Sequence, residues 1–308
     1  MIAYIDNYRD RFGVETICRV LGGTDGGFLS ARGYRAAKTR QPSARSVRDA
    51  HLSTELRRVH AKNFSVYGAR KMQVAMHRAG YRLGRDQTSR LMKAAGLQGV
   101  QRGRPVYTTT PDPAADRATD LVERRFVAER PNQLWVVDLT YVRTWSGFAY
   151  TAFVTDVFSR KIVGWNVAAT MATDVLPLPA FAHAVWSADT DLSGLVHHSD
   201  RGSQYVSLRY TEQLAELGIQ PSVGSRGDSY DNALAEAVNA AYKSELIRPR
   251  GPWRTVEEVE LATLEWVWWF NHQRLHENLG YVPPVEYEAA YYAASHHASQ
   301  PAPALAST

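Results

Sequence analysis

Cysteine is nearly absent from these 308 residues: Cys18 is the only one, which excludes an intrachain disulfide and a thiolate zinc cluster. The ten histidines show no finger-like spacing, so a His-rich structural zinc site is not expected either. No run of eighteen apolar residues occurs, and the opening "MIAYIDNYRDRF" lacks the basic and apolar regions of a secretory leader, so a cytoplasmic protein is expected. Internal repeats and long low-complexity tracts are missing too. Acidic residues are scarce in the first third. Residues 1 to 110 hold 21 Lys and Arg against 7 Asp and Glu, a balance of +14, and the remainder holds 15 against 24. The net charge of +5 therefore conceals a basic N-terminal part and an acidic remainder. A basic segment with scattered arginines suits a polyanion, because each neutralised phosphate releases counterions; a solvated helical surface is the plainer alternative.

What is present begins with 44% apolar content, enough for sizeable cores. Apolar residues at helical spacing (Val47, Leu52, Leu56, Val59; then Met72, Val74, Ala75, Ala79) predict helices over 46–61 and 68–79. Gly80 and Gly84 break the chain, Asp86 stands at an N-cap position, and "QTSRLMKAAG" predicts a second short helix ending at Gly96. Two helices on a tight Gly-containing turn suggest a helix-turn-helix unit within 46–98 of a basic helical region spanning 1–101. In that unit Arg85, Gln87, Arg90 and Lys93 face DNA while Leu91, Met92 and Leu97 pack inward; a hairpin used only for packing is the alternative. The proline- and threonine-rich stretch 102–118 marks a linker, taken to 129, and places a domain boundary there.

Beyond it the period changes. "LWVVDLTYV" (134–142), "FAYTAFVTDVF" (148–158) and "KIVGWNVAA" (161–169) predict three consecutive antiparallel strands. A helix follows near 172–187, broken or shifted by Pro177 and Pro179, then a strand at 194–200, a helix at 207–217, a strand "IQPSV" and a helix starting near Ala233. This order predicts an α/β fold, a mixed sheet flanked by helices, over a core of 130–250. A helical extension spans 251–292, and a small-residue tail, 293–308, is expected to lack order.

Asp138 interrupts the first strand and Asp200 ends a later one, where α/β sheets place ligand sites. A carboxylate in such a position needs a metal, a cation or a hydrogen-bonded turn. If the last helix starts near Ala233, then Glu236, Asn239, Ala240 and Lys243 share one face, since seven residues turn through about 700°. A clustered trio of carboxylates argues for cation binding, because unneutralised neighbours would repel. Asp228 and Asp231, just before the helix, are read as turn and capping residues. Asp156 is read as ordering its turn with Ser159 or Arg160, and His198 as making a local hydrogen bond. In "EWVWWFNHQRLHENLGY" the spacing of Leu261, Leu264, Val267, Trp268 and Leu275 favours core packing, which leaves Asn271, His272, Arg274 and His276 as DNA-facing candidates.

Asp138 in "WVVDLTYV", Asp200 in "HHSDRGSQY" and Glu236 in "YDNALAEAVNAAYKSEL" resemble the catalytic triad of DDE transposases and retroviral-type integrases. Thirty-five residues separate Asp200 from Glu236, and Lys243 falls seven after the glutamate. The motifs "PNQLWVVDLTYV", "TDVFSRKIVGW", "HHSDRGSQY", "SYDNALAE" and "WFNHQRLHENLGYVPPVEY" together resemble the OrfB transposase of the insertion-sequence-three family, and 67–97 resembles its helix-turn-helix-like region. The likeness covers most of residues 45 to 290. It implies a ribonuclease H-like core and two magnesium or manganese ions held by Asp138, Asp200 and Glu236. It also implies Lys243 at the DNA, and strand cleavage followed by strand transfer from a 3′-hydroxyl; Asn239, on the same helix face, is a further DNA-facing candidate. The partners it implies are double-stranded DNA (terminal inverted repeats and target), a homo-multimer on paired ends, and an upstream OrfA portion that the chain's beginning does not include. Ala237, Val238 and Asn239 depart from the Ser and bulky aromatics usual after the glutamate. A catalytically silent DNA-binding regulator and a nuclease without joining activity are the competing functions.

Overall fold

The computed structural model describes residues 1–24, 29–100, 127–188, 190, 192–199, 208–223 and 233–298. The chain divides into two compact units, Met1–Glu55 and Leu56–Thr308. In the first, α1 (Ile2–Phe12), α2 (Val14–Leu21) and α3 (Ala31–Thr39) close over Ile5, Ile17, Cys18 and Tyr34. Gly13 turns the chain between α1 and α2 at φ 72°, a conformation that glycine adopts without a Cβ clash. Ser30 caps α3 by accepting from the Gly33 amide, and the Tyr34 hydroxyl donates to Asp6 Oδ1 at 2.6 Å.

The predicted helix pair forms as α5 (Ala69–Arg78) and α6 (Arg85–Ala94), after α4 (Ala44–Lys62). Leu91 and Met92 are buried. Two details differ from expectation: Gly84 occupies the N-cap position with Asp86 inside the first turn, and Val47, assigned to the buried stripe, is 59% exposed. The division between units also falls earlier than the linker, of which 102–126 lie outside the described residues. The segment between α4 and α5 is tied to residues near the C-terminal end of the chain's larger unit. The Leu275 amide donates to the Tyr67 hydroxyl at 2.8 Å, Trp269 Nε1 donates to Asn63 Oδ1 at 3.3 Å, and Phe64 lies 4.7 Å from the Trp269 ring.

The sheet has five strands, β1 (Leu134–Thr144), β2 (Gly147–Asp156), β3 (Ile162–Ala168), β4 (Val196–Ser199) and β5 (Gln220–Val223), in the order β3-β2-β1-β4-β5. The first three are antiparallel neighbours, and β4 and β5 add in parallel. The result is the expected mixed sheet flanked by helices. On one face α7 (Pro177–Ala188) covers Trp135, Val137, Val154 and Val163 with Phe181 and Ala184. Gly164 lets it come that close, since a Cβ there would lie 2.2 Å from the Ala180 carbonyl. Pro177 and Pro179 sit in the first turn of α7, where a missing amide costs nothing, so they start the helix rather than break it. α8 (Leu208–Glu216) precedes β5.

Against the other face lie α9 (Ala233–Tyr242) and α11 (Val256–His272). They are connected by a π-helical turn (Lys243–Ile247) and the single turn α10 (Arg248–Arg250). Phe153, Tyr242 and Trp266 pack ring against ring at 5.1 to 5.8 Å. That packing sets the face of α11: Val259, Thr263, Trp266 and Phe270 are buried, while Leu261, Leu264 and Trp268 are 69%, 54% and 52% exposed. Of the expected stripe, Val267 and Leu275 are buried, but Leu261, Leu264 and Trp268 face outward because Trp266 and Phe270 took the inner face. α12 (Pro284–Ala298) follows a short 3-10 turn (Glu277–Leu279) and runs helical through the start of the expected tail.

His197, on β4, is wholly enclosed, its Nε2 2.9 Å from the Tyr210 hydroxyl, and burial pushes its pKa down to about 3. A depressed histidine is neutral in the folded chain, so the stability it confers is present above the unfolded value near 6.5 and is lost as pH falls toward about 3. Denaturant titrations should show stability falling by up to about 1.4 kcal/mol per pH unit from this group in that window, and His197→Gln should remove this component. An unchanged slope in the variant would place the acid sensitivity elsewhere.

Candidate active site

The first candidate carboxylate stands where the sheet changes partners. β4 pairs with β1 as far as Ser199 opposite Val137, so Asp138 is the next β1 residue, at the carboxyl end of the parallel pair. Crevices at such strand ends hold ligands in α/β sheets. Asp138 is half-buried; its Oδ1 accepts from the Leu139 amide at 2.8 Å and its Oδ2 from Asn239 Nδ2 at 2.9 Å. Its side chain shares the face of Leu134 and Val136, against which Ala235 of α9 packs. Asp200 follows Ser199 directly in the chain and lies outside the described residues.

α9 begins at Ala233 as expected, so Glu236 stands one turn before Asn239 on the same face, about 4.5 Å along the axis. Glu236 is exposed, yet partial burial raises its carboxyl pKa. Lys243 opens the π-helical turn. Burial, with help from Arg248, lowers its pKa against the opposing pull of Asp138. Ala237 is half-buried, and Val238 and Asn239 are buried.

Among the described residues no group of three His, Cys, Asp or Glu side chains is disposed as a metal site, and the third carboxylate of the expected trio is outside them. The donors that are described suit a hard, oxygen-preferring cation. Asp138 and Glu236 supply anionic oxygens, and Asn239 Oδ1 beside them is buried with no hydrogen-bond partner among the described residues.

Asp156 is wholly buried, and burial raises its pKa against the hydrogen bonds it accepts. Its Oδ1 accepts from the Ser159 amide and hydroxyl at 2.7 Å and its Oδ2 from the Asn132 amide at 2.9 Å. It orders the turn, as expected. His198 Nδ1 lies 2.9 Å from Ser222 Oγ, the anticipated local bond. Asp228 and Asp231 lie outside the described residues.

Of the DNA-facing candidates, Arg85, Arg90 and Lys93 are exposed on α6 and Gln87 is half-buried. Asn239 directs its amide to Asp138 instead of outward. Arg274, Asn271 and His276 need correction, being 6%, 7% and 8% exposed. The Arg274 guanidinium is held by Glu245 through Nε at 2.9 Å and Nη2 at 2.6 Å, and Asn271 bonds both backbone groups of Ile162 at 2.9 Å. Burial beside Arg274 depresses the His276 pKa well below its usual value. Only His272 of that set is exposed, stacked on Trp268 at 5.2 Å. The Glu245–Arg274 pair was not anticipated from sequence, although Glu245 in "KSELI" and Arg274 in "QRLHENL", each followed directly by a leucine, were the available signal.

A five-stranded mixed sheet, an aspartate at the end of its parallel pair and a glutamate-bearing helix laid beside it define an integrase-type polynucleotidyl transferase core. Two models described as "Integrase core domain" match residues 128–229 and 217–284, and an "HTH-like domain" model matches 47–105. The transposase of insertion sequence element IS629 from Shigella sonnei is 48% identical over 293 residues, covering 95% of this chain and 97% of that protein. The putative transposase of IS986/IS6110 from Mycobacterium tuberculosis is 56% identical over 258 residues, covering 82% and 92%. The catalytic core domain of HTLV-2 integrase, solved with magnesium, is 15% identical with a TM-score of 0.41, covering 53% of this chain and 99% of that one. The chain belongs to the insertion-sequence-three family of transposases, DNA-processing enzymes of the ribonuclease H-like DDE type. Among the described residues no helix is long and apolar enough to cross a membrane.

Proposed function

We propose that Asp138, Asp200 and Glu236 are the catalytic carboxylates of this transposase and that they hold two magnesium or manganese ions. The observation that carries this reading is the Asn239–Asp138 hydrogen bond at 2.9 Å, which lays the Glu236 face of α9 against the strand end that Asp138 occupies. When bound, such an ion pair stabilises the attacking and leaving oxygens of an in-line displacement at phosphorus. The chain's own residues do the rest. Asp138 is fixed by two hydrogen bonds, so its carboxylate does not reorient as DNA arrives. Lys243 holds a backbone phosphate nearby, and Arg85, Gln87, Arg90 and Lys93 bind the DNA beyond. Water attacks the scissile phosphorus and the P–O3′ bond breaks, freeing a 3′-hydroxyl. That hydroxyl then attacks a second phosphorus, displacing its 3′ oxygen. The DNA is the element's inverted repeats and its target in the bacterial nucleoid, the protein works as a homo-multimer on paired ends, and an upstream-frame OrfA portion assists recognition.

Purified protein incubated with labelled element ends and magnesium should yield nicked and then joined strands, and Asp138→Asn should yield neither. Nicking without joining would leave a nuclease, and binding without nicking a regulator.

A further inference from the structure

From Asp138 onward β1 is paired only with β2 among the described strands, since β4 stops opposite Val137. This free half of the hairpin carries an aromatic face. Tyr141 is registered with Tyr150 and Arg143 with Phe148, so strand alternation puts all four on the side of Leu139. The Tyr141 and Phe148 rings meet edge-on at 5.7 Å, and Phe148 lies 6.3 Å from Tyr150. Leu139 and Tyr150 are packed into the core under α7, whereas Tyr141 and Phe148 are 59% and 47% exposed. Single exposed aromatics are ordinary, but adjoining ones mark a contact surface.

The charges around the rings identify what they contact. Lys243 sets its Nζ 4.9 Å from the centre of the Tyr141 ring, and Arg143 is exposed on the same strand face. Tyr141 is three residues beyond Asp138, about 10 Å along the strand and on the other face of the sheet, and Lys243, on the continuation of the helix that bears Glu236, reaches it. Aromatic rings interleaved with cations suit a single nucleic-acid strand, whose bases stack while its phosphates meet the cations. An apolar protein partner would instead have to desolvate both cations without compensation.

We propose that Tyr141 and Phe148 form a stacking platform for an unpaired base of the strand being processed, with Lys243 and Arg143 holding its phosphates. The proposal rests on the reading of Asp138 as catalytic only for its location, because stacking needs no metal.

The full chain, in EDTA so that no chemistry occurs, is mixed with two forms of an element-end duplex. One is blunt, and the other has a short single-stranded extension containing 2-aminopurine. The wild type should quench the fluorophore and bind the extended duplex roughly tenfold or more tighter than the blunt one. Tyr141→Ala and Phe148→Ala should lose the quenching and the preference yet bind the blunt duplex normally, and Tyr141→Trp should retain both. Unaltered quenching in Tyr141→Ala would overturn the proposal. So would an effect of that variant confined to sedimentation, which would make the face a seam between copies. Cleavage in magnesium without quenching would sink the platform alone, and quenching without cleavage would sink the catalytic reading alone.

Discussion

Glu236→Gln is expected to lower strand cleavage and joining by about 10³-fold or more while leaving affinity for element-end DNA within about threefold. The substitution keeps the shape of the side chain and removes its charge. Metal stabilisation of developing charge at phosphorus is worth several kcal/mol, and each 1.4 kcal/mol is a factor of about ten in rate. The fold should not notice: Glu236 is exposed, and α9 is held to the sheet by Ala235, Val238 and Tyr242, which are buried. Asp138 keeps its bond to Asn239. Quantified gel assays of cleavage and joining, with fluorescence anisotropy for binding, read the two effects separately. Near-normal cleavage would remove Glu236 from the site. The contrast with Asp156 explains the choice, because that carboxylate is wholly buried and orders its turn through Ser159 and Asn132, whereas Glu236 is exposed.

Much of the core was legible in the sequence because its signals are local. Alternation marked β1 to β3, and the Ala-rich run marked the start of α9 near Ala233. Spacing of side chains along one helix put Glu236 and Asn239 on one face, and the structure adds that Asn239 spends its amide on Asp138. What could not be read depended on partners distant in the chain. Which stripe of α11 is buried was decided by Phe153 and Tyr242 receiving Trp266, and neither ring is within twenty residues of it in sequence. The inward turn of Arg274 required Glu245, twenty-nine residues away. Gly164 carried no turn signature, because its role is the approach of α7. The π-helical turn at Lys243 leaves no mark in an apolar pattern at all.

Glu245→Ala is expected to destabilise the larger unit by about 3–5 kcal/mol, because it strands the Arg274 guanidinium in a buried position without its counter-charge. Burial alone would disfavour the charged guanidinium, but the Glu245 carboxylate more than offsets this and raises its pKa. For a unit of this size, about 2–4 °C per kcal/mol turns that loss into a fall in Tm of roughly 6–20 °C. Arg274→Met should cost a comparable amount, since it leaves the Glu245 carboxylate buried and unpaired. The double variant Glu245→Leu/Arg274→Met should recover most of the loss, as buried ion pairs replaced by apolar side chains of similar volume commonly do. A double-mutant cycle in calorimetry or denaturant unfolding isolates the coupling, and single variants within about 1 kcal/mol of wild type would show that the pair is wet and weak. The location of the pair explains why its loss should spread. Glu245 lies in the π-helical turn that continues α9, and Arg274 just beyond the end of α11. The next residue, Leu275, donates its amide to Tyr67 ahead of α5. One buried ion pair thus ties the helix bearing Glu236 to the segment that leads into the helix-turn-helix-like pair, so releasing it loosens the proposed catalytic face and the DNA-binding helices together.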